Sequence, residues 1–110
     1  MKFIFFVEGG TPKMNPADAT RQLEIWLNWL KALKEKGVLE SSAQFTEDII
    51  QLSAAGAVTT TMKPIDISGY LIVNTASRDE ALSIAKQAPN ISRGGFITIR
   101  ECFDIKPDTN

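Results

Sequence analysis

The side chains that could carry out chemistry are few, because the chain has no histidine and one cysteine among its 110 residues. Two carboxylates stand beside strand-like segments: Glu8 follows a short apolar run, and Asp66 precedes another. Either could act as a base if loss of solvent raised its pKa. The sequence favours the alternative, a solvated carboxylate in a loop. Glu8 and Asp66 are therefore weak catalytic candidates, and no reaction is assigned to them.

Five other side chains are candidates for contacting a ligand. Aromatic walls recur in small-molecule sites, so Trp26, Trp29 and Tyr70 are candidates. The competing interpretation is packing in a core or interface; it is favoured for Trp26 and evenly balanced for Trp29. Lys63 and Arg100 could donate to a ligand oxygen, and an arginine can hold a carboxylate through two hydrogen bonds. For Arg100 an ion pair within an assembly is the preferred alternative.

Cys102 has no histidine to activate it, and we interpret it as a packed thiol. One cysteine forms no disulfide within the chain and no cysteine-based metal site. Carboxylates alone suit harder ions than the transition metals. The sequence also contains no phosphate-binding loop and no zinc-ligand spacing. We therefore expect no bound metal and no cofactor.

The charge balance argues against two classes of partner. The chain has 12 basic and 13 acidic residues, a formal net charge of -1, and a pI near 5.4. Non-specific binding to nucleic acid or to an anionic membrane requires a cationic face. The N-terminal apolar run ends at Glu8 without a small-residue cleavage site, and no segment approaches membrane-spanning length. We expect a cytoplasmic protein that binds neither nucleic acid nor membrane.

The first third of the chain predicts a strand followed by a helix. Residues 2–7, KFIFFV, are short, aromatic and β-branched, which is typical of a strand. Asn15 as N-cap and Pro16 at the first helical position predict where the helix begins. Gly37 is the predicted C-cap. The apolar stripe of this helix consists of Leu23, Trp26, Leu27, Leu30 and Leu33.

The middle of the chain has a weaker pattern. Residues 40–56 predict a loop leading into a strand. Residues 57–62, AVTTTM, predict the return strand of a hairpin that turns at Ala55 and Gly56. Residues 70–73, YLIV, are consecutively apolar and predict a strand covered on both faces.

The last third predicts a capped helix and a final strand. Ser77 and Glu80 have the spacing of a capping box, and Pro89 is the predicted end of the helix. Residues 94–103, GGFITIRECF, predict the last strand. We expect one domain over residues 1–104 and a polar tail over residues 105–110.

The element order β-α-β-β-α-β predicts an α+β fold: a ferredoxin-like four-stranded antiparallel sheet with two helices on one face. The strands at residues 2–7 and 70–73 are apolar on both sides, yet two helices cover only one face. An exposed apolar face of this size marks an interaction site. We therefore expect a homodimer that pairs its sheets face to face. The alternative is that the hairpin or the tail folds over the second face.

Three segments, residues 15–39, 68–90 and 94–102, resemble the YCII-related family, in particular its DGPF or DGPFAETKE branch. The DGPF segment itself is missing, because residues 59–66 read TTTMKPID. The resemblance implies a dimeric α+β barrel. Relatives in the broader family carry a His and Asp pair proposed as catalytic, and this chain has no histidine. The residues that match are Gly69, Tyr70, Asp79, Glu80, Ala81, Pro89, Gly95 and Arg100.

Two classes of function remain. The first is a protein that binds a small organic ligand in a pocket between sheet and helices, with carboxylate acid-base catalysis as an extension. The second is a non-catalytic accessory or interaction protein that keeps the family scaffold without its polar site. Convergent polar groups in a pocket would favour the first class, and a filled apolar interior would favour the second. We favour the binding class.

Overall fold

The computed structural model describes residues 1–10, 15–63 and 66–107. Strands β2, β5, β1 and β6 form an antiparallel sheet in that spatial order, and β3 pairs with β4 in a separate two-stranded sheet. This is the ferredoxin-like order with a hairpin inserted between the second and third sheet strands, so the predicted α+β fold class is confirmed. The elements are β1 (Lys2–Glu8), α1 (Pro16–Glu35), β2 (Leu39–Gln44), β3 (Asp48–Ser53), β4 (Gly56–Thr61), β5 (Ile67–Asn74), α2 (Arg78–Ala85), a short 3-10 helix (Ile91–Arg93) and β6 (Phe96–Cys102).

One strand assignment from the sequence is wrong. In the predicted order β-α-β-β-α-β, residues 57–62 are the second strand of the main sheet, but β4 pairs with β3 alone among the described strands. The sheet position belongs to β2, in a stretch predicted as a loop. An edge strand whose side chains are nearly all exposed needs no apolar alternation. The hairpin is confirmed, with its turn at Ala54 and Ala55, one residue earlier than predicted.

Both helices begin at the predicted caps. Asp18 N donates to Asn15 Oδ1 over 2.8 Å, and Glu80 N donates to Ser77 Oγ over 3.1 Å. The return bond of the capping box differs from the prediction, because Glu80 Oε2 accepts from Ala76 N over 3.0 Å. The caps satisfy amides that the first helical turn leaves unpaired.

The helix ends follow the prediction less closely. Gly37 has a φ of 76° and lies just after the C-cap Lys36, as a C-terminal glycine should. The second helix ends at Ala85, four residues before Pro89. Turn bonds from Gln87 N and Ala88 N continue the chain to that proline.

The core lies between the helices and the inner face of the sheet. On α1 only Leu33, near the C-terminal end, is buried, whereas Leu23 and Leu27 remain about half exposed. The helix therefore packs closely at its C-terminal end and stands off from the sheet towards its N-terminus. The buried core residues are Phe3, Phe5, Val7, Leu33, Leu71, Val73, Ala81 and Ala85.

The outer face of the sheet carries the alternate side chains of the same strands. Ile4 pairs with Ile72, and Phe6 pairs with Tyr70, so the four apolar residues form one patch. The protein is only 19 Å thick along its shortest axis. That is roughly the depth of one sheet and one helix layer, each about 10 Å. No helix of the described residues covers this outer patch.

A buried asparagine joins the end of β1 to the start of β6. Asn90 Nδ2 donates to Glu8 O over 3.2 Å and to Phe96 O over 2.9 Å. The main-chain oxygen of Asn90 accepts hydrogen bonds from Arg93 N over 3.1 Å and from Gly95 N over 2.9 Å. One residue thus fixes two strand ends and the 3-10 helix between them.

The space around this asparagine requires two glycines. A Cβ at Gly10 would lie 2.6 Å from Asn90 O, and Gly10 has a φ of +70°, which glycine adopts without strain. A Cβ at Gly95 would lie 2.8 Å from Asn90 Nδ2. We call Gly10, Asn90 and Gly95 the Asn90 junction.

Replacing Asn90 with Ala should lower the free energy of unfolding by about 1 to 3 kcal/mol, because two backbone carbonyls lose their donor. Urea titration followed by circular dichroism, at one fixed protein concentration, measures the change. The control is Ser92→Ala, an exposed neighbour whose hydroxyl bonds only to Pro89 O, with an expected change below about 0.5 kcal/mol. Equal losses in both variants would contradict the role of Asn90.

Candidate functional site

An open cleft of about 430 Å³ lies between α1 and the inner face of the sheet. It occupies the gap left where the N-terminal half of α1 stands off. Positions three and four residues apart on α1 face it together, as expected for one side of a helix. The helix wall consists of Ala19, Gln22, Leu23, Trp26, Leu27 and Leu30, and the sheet wall of Val7, Gly69, Leu71 and the adjoining residues of β2.

Gly69 deepens the sheet wall of the cleft. It pairs with Val7 of β1 on one side and with Gln44 of β2 on the other. A Cβ at this position would lie 2.6 Å from Ala43 O, so the close approach of β2 requires glycine. The sheet wall of the cleft consequently has no side chain at position 69.

Arg93 is the only charged residue among the described residues that line the cleft. It stands in the short 3-10 helix, and its backbone N is bonded to Asn90 O. The guanidinium is charged at all physiological pH values and offers five N–H donors. Beside it the cleft offers the polar side chains of Gln22, Ser42 and Gln44. The arrangement suits an apolar ligand that carries an oxyanion.

The predicted aromatic residues are distributed over three places. Trp26 lines the helix wall of the cleft. Trp29 packs against the core and meets Trp26 edge to face, with ring centroids 5.5 Å apart. Tyr70 also lines the sheet wall, but strand alternation directs its ring to the outer face of the sheet. There the centroid of its ring lies 6.0 Å from that of Phe45. Trp26 is therefore the aromatic surface that a ligand in the cleft would meet.

The other predicted site residues lie outside the cleft. Arg100 is on the outer face of β6. Glu8, at the end of β1, accepts a hydrogen bond from Thr98 Oγ1. Asp66 Oδ2 accepts from Lys63 N over 2.5 Å in the turn at the base of the β3–β4 hairpin. The functional roles of these residues stay predictions.

Arg93 and the two glutamines of the cleft, Gln22 and Gln44, are not among the residues predicted from the sequence. Arg93 is the last residue before two glycines, and Gly94 adopts a left-handed φ of 82°. An arginine next to two glycines, between a predicted helix and a predicted strand, was the sequence signal that could have indicated Arg93 as a ligand contact. The glutamines give no comparable signal, because exposed glutamine is ordinary on helices and edge strands.

Two kinds of feature are absent from the described residues. Within residues 1–10, 15–63 and 66–107, no three His, Cys, Asp or Glu side chains are grouped so that they could hold a metal ion. In the same ranges, neither helix has the length and apolar character needed to cross a membrane.

The strongest charge cluster lies at the other end of the sheet from the cleft. Lys2 Nζ is 2.7 Å from Asp104 Oδ1 and 2.9 Å from Glu40 Oε2. Lys2 donates a hydrogen bond to Asp104 and another to Glu40. These two bonds lower the pKa of both carboxyl groups and raise the pKa of Lys2. Asn74 Nδ2 also donates to Glu40, over 3.1 Å. This cluster connects the segment after β6 to β1 and β2.

The segment after β6 should detach in acid. Carboxyl groups with a lowered pKa stabilise the folded arrangement at neutral pH, and this contribution is lost as the pH falls through the lowered values. Amide NMR relaxation of residues 103–105 should report rigidity at a pH of about 7 and mobility at about 2.5. Because the groups are exposed, we expect no global unfolding from this loss alone.

An Asp104→Asn variant should show the same mobility at neutral pH, because it removes one of the two carboxylates that hold Lys2. Glu101→Gln is the matched control, since Glu101 lies on the other face of β6, outside the cluster. Rigid residues 103–105 in Asp104→Asn would show that the ion pair does not hold the segment.

These features define a ferredoxin-like α+β domain with an inserted hairpin and an open cleft under its first helix. The YCII-related domain matches residues 1–106, and the chain belongs to the YCII-related family. The resemblance in the sequence is thus confirmed at the level of the family.

A solved structure with the same fold is 5-chloro-2-hydroxyhydroquinone dehydrochlorinase (TftG) from Burkholderia phenoliruptrix AC1100, in complex with 2,5-dihydroxybenzoquinone. The similarity covers 94% of each chain with a TM-score of 0.56 and 18% sequence identity. Comparison with curated protein sequences gave no match.

Proposed function

We propose that the protein binds a small organic ligand in the cleft under α1. The observation that carries this proposal is the composition of the cleft: about 430 Å³ of mostly apolar space with one aromatic wall and one cation. Sites for small molecules are typically clefts of about 300 to 1,000 Å³, apolar with a few placed polar groups. The cleft fits that description with room for a ligand of one or two rings.

The proposed ligand is a flat ring compound that bears an acidic hydroxyl or carboxylate group. A ring can pack on the indole of Trp26, and an oxyanion on its edge can pair with the guanidinium of Arg93. TftG, which has the same fold, was solved with a dihydroxybenzoquinone. That complex supports the ligand class, because it is a flat, oxygenated ring of suitable size.

The cleft supports binding better than acid-base catalysis. Among its described lining residues there is no carboxylate, and the chain has no histidine. A general base must come within hydrogen-bond reach of the proton that it removes, directly or through one water. Glu8 and Asp66 stay weak candidates for that role, and we propose no reaction.

We also propose that the protein forms a homodimer through the outer faces of its sheets. The apolar patch of Ile4, Phe6, Tyr70 and Ile72 supports this, because no described helix covers it. The resemblance to dimeric α+β barrels points the same way.

The second candidate function is that of a non-catalytic accessory or interaction protein. The exposed β3–β4 hairpin favours it, since this apolar element contributes nothing to the lining of the cleft. The two functions differ in one measurable respect: only the first requires a ligand in the cleft.

Replacing Arg93 with Gln should weaken binding of 2,5-dihydroxybenzoquinone, an acidic probe, by about 10- to 100-fold, because the charged hydrogen bond to the oxyanion is lost. Binding of hydroquinone, a neutral ring of the same size, should change by less than about threefold. Isothermal titration calorimetry measures both affinities. The difference between the two probes separates a charge contact from a general disturbance of the cleft.

The control is Arg78→Gln, which makes the same change at an exposed residue at the start of α2, outside the cleft lining, and should leave both affinities unchanged. An equal loss for both probes in Arg93→Gln would show that Arg93 only supports the cleft structurally. If amide NMR of the unmodified protein shows no shifts for cleft residues with either probe at millimolar concentration, this ligand class is wrong and the accessory function is favoured.

A further inference from the structure

The hairpin of β3 and β4, residues 48–61, is almost entirely exposed and carries several aliphatic side chains; we call it the arm. All of its residues except Ile49 are exposed. Ile50, Leu52 and Val58 are 70%, 81% and 58% exposed, respectively. An isolated two-stranded hairpin is at best marginally stable in water. The arm therefore needs a surface to pack on.

The composition of the arm defines the kind of surface. From residue 49 to residue 62 the chain has no charged side chain. Exposed strand edges of soluble proteins normally carry charges, lysine above all, which prevent pairing with other chains. Apart from Asp48 at its base, the arm lacks that protection. An apolar surface is therefore the partner that suits the part of the arm beyond Asp48.

One face of the arm is aliphatic towards the tip of the hairpin, and it carries Asp48 and Thr61 at the base. Ile50 pairs with Thr59 and Leu52 pairs with Ala57, so these four side chains share a face. Gln51 and Val58 pair on the opposite face. We call the first of these the Ile50–Leu52 face.

The surface area of the protein supports a second copy as the occupant. The chain exposes 8091 Å², whereas a compact monomer of 12.1 kDa exposes about 6,000 Å². Its radius of gyration is 15.9 Å, against about 13 Å for a compact domain of this length. The excess of about 2,000 Å² lies within the roughly 1,000 to 2,500 Å² that each subunit buries in an obligate homodimer.

The dimensions of the arm agree with those of the sheet. Six residue pairs give the arm a length of about 20 Å, and four strands at a spacing of about 4.8 Å give the sheet a width of about 19 Å. The arm follows β2 and precedes β5, so it begins at the end of the sheet where Gln44 pairs with Gly69, and it pairs with no described strand of that sheet. It can therefore reach past its own sheet onto a facing one.

We propose that the arm of each protomer packs through its Ile50–Leu52 face on the outer sheet face of a second copy. The two sheets then overlap in part, and each arm covers a region of the partner's outer face that the facing sheet leaves open. This inference rests on the homodimer proposed above and adds the element that completes its interface.

The test compares Leu52→Glu with Gln51→Glu, which places the same charge on the opposite face of the same strand. Because Leu52 is 81% exposed in the single chain, a charge there should cost a monomer little stability. Sedimentation equilibrium should give the unmodified protein and Gln51→Glu twice the monomer mass of 12.1 kDa. Leu52→Glu should raise the dimer dissociation constant at least about tenfold, with unchanged far-ultraviolet circular dichroism.

The outcomes separate the two proposals. A monomeric unmodified protein would refute the homodimer and this inference together. A dimer that Leu52→Glu leaves intact would refute the arm contact alone. Equal dissociation in both variants would refute the assignment to the Ile50–Leu52 face.

A photo-cross-link decides the case in which Leu52→Glu fails to fold. Cys102→Ser removes the natural cysteine, and Leu52→Cys then carries a benzophenone label. Protomers with and without ¹⁵N are unfolded, mixed, refolded and irradiated. Cross-links from residue 52 to β1, β5 or β6 of the other isotope support the proposal. Cross-links confined to one chain, as expected if the arm folds back on its own sheet, would overturn it.

Discussion

The two helices are too small to cover the four-stranded sheet, and the other features of the structure follow from this constraint. A helix of twenty residues and one of eight lie on the inner face of four strands. They suffice to bury the centre, where Phe5 and Val73 are fully enclosed, but not the margins. The cleft under α1 and a hollow of about 390 Å³ between α2 and β6 are both places where the helix layer ends before the sheet does. The outer face receives no helix from the described residues.

The position of Arg93, the cation of the cleft, is set by the end of β1 and the start of β6 and not by α1 or α2. Arg93 is bonded through its backbone to Asn90, whose side chain holds the last residue of β1 and the first of β6. A buried amide that satisfies backbone groups on two strands has little freedom to move. The cation at the cleft is therefore anchored to the rigid sheet, while the wall opposite, the N-terminal half of α1, is held by few buried contacts. Such a site has one fixed polar contact and an apolar wall that can adapt to the ligand.

The sequence specifies those features that depend on local chemistry. The caps Asn15 and Ser77 are read correctly because a capping side chain acts on amides two or three residues away. The side of α1 that faces the sheet and the strand β1 are predicted correctly, because periodicity records which side chains share a face, although Leu23 and Leu27 of the helix stay about half exposed. By contrast, β2 is a strand only because β5 lies beside it, and its own sequence, LESSAQ, contains no pattern of burial. Among the residues that line the cleft, Trp26 could be predicted from its position on the apolar stripe of α1. Arg93 could not, because its place depends on the hydrogen bonds of Asn90, and no local sequence pattern shows that Asn90 makes them.

The Asn90 junction also has an evolutionary consequence. A side chain at Gly10 or Gly95 would collide with Asn90, and a smaller residue at position 90 would leave two carbonyls without a donor. A Cβ at either glycine would also collide with main-chain atoms of Asn90, so both glycines stay required whichever side chain stands at position 90. In the divergence of this chain the side chain at position 90 is therefore expected to change before either glycine does.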